Sequence, residues 1–221
     1  MALLAFGPGE TFGRVSRPGR AGKRAPSVRS PPGPADVMDA LLVSTLAVAI
    51  AELGDKTQLL ALVLAAQFCR PVPIAAGILI ATLANHALAG LLGAWLGHLL
   101  DDAMLRWLLA ASFLLMAGWM LTPDKPTVDE TKPSRFGPFL VTLVLFFLVE
   151  IGDKTQIATI ALGARFDSTL AVVLGTTGGM MLANLPMVIM GPKLMQLLPL
   201  KLARIGAAGL FTMLGIATLL A

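Results

Sequence analysis

Two copies of one short charged motif lie inside apolar stretches of the chain. The sequence Glu52-Leu-Gly-Asp-Lys-Thr-Gln58 recurs as Glu150-Ile-Gly-Asp-Lys-Thr-Gln156, 98 residues later. An ionisable side chain inside a membrane segment is costly unless it is paired or hydrated, and such residues usually mark an ion pathway. We therefore interpret the two motifs as the chemical centre of the protein.

The charges of the motifs do not cancel. If each motif is helical, its Glu, Asp and Lys stand at i, i+3 and i+4 and share one face. The structural interpretation is an ion pair between the Glu and the Lys of each copy, which leaves Asp55 and Asp153 unneutralised. Two facing motifs then carry a formal charge of minus two, which matches one divalent cation or two protons.

The side-chain types indicate the kind of cation. Carboxylate, amide and hydroxyl oxygens are hard ligands that suit Mg²⁺, Ca²⁺ or Mn²⁺, and neither thiolate nor imidazole adjoins the motifs. The candidate metal ligands are Glu52, Asp55, Glu150 and Asp153. The motif-completing or accessory residues are Lys56, Thr57, Gln58, Asn85, Lys154, Thr155, Gln156 and Asn184. For the neutral ones, hydrogen bonding between helices is the alternative. His86 has no counterpart in the second copy, where Leu185 stands, and we interpret it as a satisfied or interfacial histidine rather than a ligand.

The chain that carries the motifs is strongly apolar. Its 221 residues are 56% hydrophobic and 14% charged, which is more apolar surface than one soluble domain of this size could bury. Strict alternation of apolar and polar residues is absent, so we expect an all-α polytopic membrane protein with six transmembrane helices and no enzymatic activity. The apolar segments are 39–68, 72–99, 104–122, 136–166, 169–190 and 199–220. The first and fourth exceed one span, and we predict interruptions at Gly54 and Gly152.

The duplication predicts how the helices are arranged. Each copy of the motif lies in the first span of a unit of three spans. Because three is an odd number, the second unit enters the membrane from the opposite side. We therefore expect two inverted three-helix repeats, residues 38–122 and 136–221, joined by a polar loop over residues 123–135.

Residues 1–37 differ from the rest of the chain. They hold six Lys and Arg against two acidic residues, so the whole net charge of +4 lies there and the membrane body is neutral. The stretch is rich in Arg, Gly, Pro and Ser, and we interpret it as a disordered basic extension. Because an apolar segment follows Met38 at once, a mis-assigned start is one interpretation and an organelle transit peptide the other. With this charge placed outside the membrane body, we expect no nucleic-acid partner.

The basic residues of the connections predict the orientation. With Met38 as the start, positive-inside counting places the central loop in the cytoplasm. On that side lie Arg70, Lys125, Lys132, Arg135, Lys193, Lys201 and Arg204, against Arg106 and Arg165 on the other.

The doubled Glu-x-Gly-Asp-Lys-Thr resembles the signature of the Ca²⁺/Mn²⁺:H⁺ antiporter family, which includes the Golgi, chloroplast and bacterial manganese transporters. The resemblance covers residues 38 to 221. It implies that Glu52, Asp55, Glu150 and Asp153 coordinate the ion. It also implies exchange of Mn²⁺, or Ca²⁺, for protons across a lipid bilayer, with Mn²⁺ export at the bacterial inner membrane. The metal would then be a substrate and no cofactor is needed.

Two other classes share parts of this pattern. Gly-Asp in two membrane helices is also typical of intramembrane aspartyl proteases, but their dyad needs two apposed carboxyls rather than four carboxyls with two lysines. An amino-acid-type exporter is the nearer alternative, and it is separable by whether metal or amino acid changes proton flux in vesicles.

Overall fold

The computed structural model describes residues 32–122, 136–191 and 200–220, and its regular structure in those ranges is entirely helical. The central loop and residues 1–31 of the predicted disordered extension lie outside the described residues. The helices are α1 (Pro34–Ala51), α2 (Lys56–Phe68), α3 (Pro71–Leu99), α4 (Asp102–Met120), α5 (Pro138–Glu150), α6 (Lys154–Arg165), α7 (Thr169–Met190) and α8 (Leu200–Leu220). Pro34 stands in the first turn of α1, where proline favours a helix start, so the predicted extension ends earlier than residue 37.

Five of these helices are long and apolar enough to cross a membrane: α1, α3, α4, α7 and α8. Two further apolar helices, α2 and α5, are shorter and stand next to the charged motifs. Many large apolar side chains remain exposed on the outer faces, as lipid contact requires. The chain is therefore an all-helical, multi-pass membrane protein.

Each motif interrupts a helix at a glycine. Gly54 and Gly152 have φ values of 81° and 75°, in the left-handed region that glycine adopts without a side-chain clash. The next residues, Asp55 and Asp153, are the N-caps of α2 and α6. The predicted interruptions are confirmed at both glycines. The expectation that Glu, Asp and Lys share one continuous helical face is wrong, because the Glu stands before the break and the Lys after it.

Helix α7 packs closely along the first broken helix pair. A Cβ atom added to Gly175 would lie 2.6 Å from the Leu41 carbonyl oxygen, and one added to Gly179 would lie 2.5 Å from that of Thr45. Further along α7, the Ala183 carbonyl accepts a hydrogen bond from Gln58 on α2. The contacts of α7 thus advance along α1 and then along α2 in the same direction.

Helix α3 packs on the second broken pair in the matching way. A Cβ atom on Gly77 would lie 2.8 Å from the Phe139 carbonyl oxygen on α5, and one on Gly93 would overlap the Ile160 carbonyl oxygen on α6. The contacts of α3 therefore advance along α5 and then α6. Each broken pair, with the motif at its break, therefore packs against a long helix from the other half of the chain.

Helices α4 and α8 pack against each other, with the rings of Phe113 and Phe211 6.2 Å apart between centroids. They share one apolar cluster with residues of α1, α6 and α7. A second cluster is built from α2, α3, α5 and α7. The α4–α8 pair thus covers the α1 and α6 side of the breaks.

Candidate metal centre

The aspartate of each motif pairs with the lysine of the other motif. Lys56 Nζ lies 2.7 Å from Asp153 Oδ1, and Lys154 Nζ lies 3.7 Å from Asp55 Oδ1. Both aspartates and Lys154 are buried, whereas Lys56 is partly exposed. In place of the expected bridge within each motif, these crossed pairs join the two halves of the chain, because the break separates the Lys from the Glu of its own copy.

The two glutamates are buried, and each is oriented by a threonine of its own motif. The hydroxyl of Thr57 donates to Glu52, and the hydroxyl of Thr155 donates to Glu150. The other carboxylate oxygen of each glutamate is buried and has no hydrogen-bond partner among the described residues. The same is true of Oδ2 of Asp153. Unsatisfied buried carboxylate oxygens are costly, and a cation or a proton would remove that cost.

Oxygens from both motifs converge. One carboxylate oxygen each of Glu52, Asp55 and Asp153 lies within 4.8 Å of the other two. All three side chains are buried, and their hard oxygens are the type that Mg²⁺, Ca²⁺ and Mn²⁺ bind. With the fourth carboxylate and the two lysines, the centre has a formal charge of minus two.

Gln58 and Gln156 stabilise the breaks. Their amide oxygens accept hydrogen bonds from the backbone N–H groups of Gly54 at 2.8 Å and Gly152 at 2.7 Å. The amide nitrogen of Gln58 also donates to the Ala183 carbonyl at 2.9 Å and so ties α2 to α7. The two glutamines therefore position the motif backbone.

Asn85 and Asn184 are buried at equivalent places on α3 and α7. The amide nitrogen of Asn85 donates to the Phe147 carbonyl on α5 at 3.0 Å, and that of Asn184 donates to the Met180 carbonyl at 3.1 Å. Both amide oxygens are buried and have no hydrogen-bond partner in the described ranges. The amide of Asn85 thus makes a contact between helices, whereas that of Asn184 bonds within α7, and neither oxygen has a donor among the described residues.

His86 was missed as a candidate by the sequence analysis. The side chain is fully buried, and its Nε2 atom lies 3.8 Å from Glu150 Oε1. It is distant from both motifs in sequence and has no counterpart in the second repeat, so neither spacing nor duplication identifies it. Its position next to Asn85 on α3 is the signal that could have identified it.

The comparison with known families decides which class this centre belongs to. The family described as divalent cation/proton antiporter GDT1 matches residues 40–127 and 138–221. The chain belongs to this family. Transport of a divalent cation against protons is the family's activity, so the metal is cargo rather than cofactor, and the peptidase alternative is set aside.

Relatives of the GDT1 family occur in bacteria and plants. A Vibrio cholerae serotype O1 protein named "Putative manganese exporter" is 50% identical over 183 residues, which cover 82% of this chain and 91% of that protein. The "GDT1-like protein 3" of Oryza sativa, in subspecies indica and japonica, is 28% identical over 185 residues, covering 67% of this chain and 66% of the rice protein. No solved structure matches the chain.

Proposed function

We propose that this GDT1-family chain exports Mn²⁺ from the cytoplasm in exchange for protons, with Ca²⁺ as a competing ion, at the bacterial cell membrane. The family supplies the class of exchange, and the Vibrio cholerae relative carries the name of a manganese exporter. The observation that carries the proposal is the set of buried carboxylate oxygens from both motifs that have no donor among the described residues.

The charge of the centre explains why transport is coupled to protons. Glu52, Asp55, Glu150 and Asp153 bring four negative charges, and the two lysines compensate two of them. An empty and unprotonated centre would leave two buried negative charges unneutralised, which is costly within a membrane. After the centre has released its ion, it therefore takes up protons before it opens again to the side on which the next ion binds.

We further propose that the chain forms six spans in two inverted repeats, residues 38–122 and 136–221, joined by the loop over residues 123–135. In this arrangement α1–α2 and α5–α6 are broken spans rather than hairpins. The directional packing of α7 along α1 and α2, and of α3 along α5 and α6, supports it. The two stretches matched by the family begin at residues 40 and 138, which repeats the 98-residue spacing of the motifs.

The broken spans place helix ends at the centre. Asp55 and Asp153 cap the N-termini of α2 and α6, and the positive end of a helix dipole favours an ionised carboxylate. Broken helices of this kind form the ion sites of many secondary transporters. Because both lysine–aspartate pairs join the two repeats, any movement of one repeat against the other alters both pairs together.

Reconstituted vesicles test the proposal. In proteoliposomes with an imposed pH gradient, Mn²⁺ should move opposite to the protons, collapse of the gradient should stop uphill movement, and Ca²⁺ should compete. Mn²⁺ flux that is indifferent to the gradient would instead indicate a channel or uniporter. Absence of flux for both ions, with proton flux driven by an amino acid, would favour the amino-acid exporter.

A further inference from the structure

We infer that His86 supplies a nitrogen ligand to the transported ion and thereby selects Mn²⁺ and related transition-metal ions against Ca²⁺. The inference rests on the proposed function, since it concerns the same centre. It adds to the oxygen ligands of the two motifs a residue that lies outside both of them and is present in one repeat alone.

The environment of His86 does not fit a packing role. The side chain has 0% exposure, and neither Nδ1 nor Nε2 has a hydrogen-bond partner among the described residues. A neutral imidazole has one N–H donor and one acceptor nitrogen, and buried groups of this kind are normally satisfied. An apolar side chain, such as the leucine at position 185 of the second repeat, would fill the space without this cost.

The separation of His86 from Glu150 suits a shared metal ion. The 3.8 Å between Nε2 and Oε1 is too long for a hydrogen bond. Metal bonds from nitrogen and oxygen ligands are about 2.0–2.5 Å long, so two ligands of one ion lie up to about 4.5 Å apart. The observed separation falls within that limit.

The neighbours of His86 connect it to the predicted ligands. Glu150 stands at the same break as Asp153, which belongs to the converging oxygen set. Asn85, the preceding residue, has a buried amide oxygen with no donor among the described residues. The Glu150 oxygen nearest His86 accepts from Thr155, and the same carboxylate carries a second buried oxygen that has no donor among the described residues.

The ligand chemistry gives the selectivity. Ca²⁺ is bound almost entirely by oxygen ligands, whereas Mn²⁺ prefers oxygen but, as a first-row transition metal, also accepts an imidazole nitrogen. A centre built from carboxylates and amides alone would bind Mn²⁺ and Ca²⁺ with similar affinity. One imidazole beside Glu150 favours the transition metal, and its absence from the second repeat makes the otherwise duplicated centre asymmetric.

Pulsed electron paramagnetic resonance of bound Mn²⁺ tests the ligand directly. The chain has two histidines, and the second, His98, is exposed in the last turn of α3. The full-length chain without a polyhistidine tag, and its His98→Leu variant, should both show nitrogen coupling to Mn²⁺ in nanodiscs. The coupling should change from ¹⁴N to ¹⁵N when histidine is ¹⁵N-labelled, and it should vanish in His86→Leu. Bound Mn²⁺ without histidine coupling in His98→Leu would overturn the inference.

Transport selectivity provides the second test. In proteoliposomes, His86→Leu should raise the KM for Mn²⁺ at least about tenfold, as loss of support at a metal site commonly does, and leave the KM for Ca²⁺ nearly unchanged. His98→Leu is the matched control from the same helix and should preserve both values. His86→Gln replaces the nitrogen with an amide oxygen and, like His86→Leu, should shift selectivity towards Ca²⁺.

The outcomes separate the two proposals. If the parent chain moves no Mn²⁺ against protons, the proposed function fails. If the parent transports Mn²⁺ but the Mn²⁺ to Ca²⁺ ratio of KM values is unchanged in folded His86 variants, the inference about His86 fails alone. If neither variant folds, the histidine coupling in His98→Leu decides.

Discussion

At the residue scale, the centre consists of four buried carboxylates and two lysines, and each lysine pairs with an aspartate of the opposite motif. The types and duplication of the motif residues indicate four carboxylates, two lysines and hard oxygen ligands. Spacing along one helix, however, measures distance only within that helix, so it suggested a Glu–Lys pair in each copy. The partners of Lys56 and Lys154 are instead aspartates from the opposite motif, which only tertiary packing brings near. His86 escaped prediction for the same reason.

Removing one aspartate should abolish transport. Asp55→Asn removes one negative charge from the converging set and breaks the ion pair of Asp55 with the buried Lys154, and breaking a buried pair costs about 3–5 kcal/mol. We expect no Mn²⁺ uptake and a lower unfolding temperature in detergent. Asp153→Asn should behave alike. Uptake by both variants at the parent rate would contradict the site.

A double variant separates charge pairing from ion binding. Asp55→Asn combined with Lys154→Gln removes both members of one crossed pair and restores the formal charge of minus two. We expect the unfolding temperature to recover towards the parent value while Mn²⁺ uptake stays absent, because Asp55 is a ligand. Full recovery of uptake would show that Asp55 serves charge balance alone.

At the element scale, segment length predicted the breaks because an apolar run longer than one span must tilt or be interrupted. Gly54 and Gly152 provide the residue type that such a break requires. The packing partner of each helix was not predictable, since a glycine permits close approach but does not indicate which helix approaches. Packing of α7 against α1 and α2 becomes visible only in the structure.

Neighbouring glycines of α7 provide a matched test of this packing. A Cβ atom on Gly179 would meet Thr45 O at 2.5 Å and Ala49 N at 2.8 Å, whereas one on Gly178 would meet nothing within 4 Å. Gly179→Ala should destabilise the protein by about 1–3 kcal/mol through overpacking. Gly178→Ala should be neutral or slightly stabilising, because alanine favours helix. Equal unfolding temperatures for the two variants would contradict the close contact between α7 and α1.

At the scale of the whole molecule, apolar composition predicted the class, and the all-helical membrane fold is confirmed. The six-span inverted arrangement and the orientation remain predictions that chemical labelling can test. Cys69, the single cysteine of the chain, is exposed between α2 and α3, beside Arg70 on the predicted cytoplasmic side.

Native Cys69 should react with a membrane-impermeant maleimide only after cells are permeabilised. The control is Asp167→Cys in a Cys69→Ser background, which places an exposed cysteine between α6 and α7 on the predicted outer side. That variant should be labelled in intact cells. Labelling of native Cys69 in intact cells would reverse the predicted orientation.

The central claim is that one centre, shared by both motifs, holds either one divalent ion or two protons. The most direct measurement follows Mn²⁺ and proton fluxes together in proteoliposomes whose membrane potential is clamped with potassium and valinomycin. We predict two protons moved for each Mn²⁺ in the opposite direction, at a rate that does not depend on the potential, because the formal charge of minus two is neutralised equally by either cargo. Mn²⁺ movement without proton counterflow, or with a rate that follows the potential, would contradict the account.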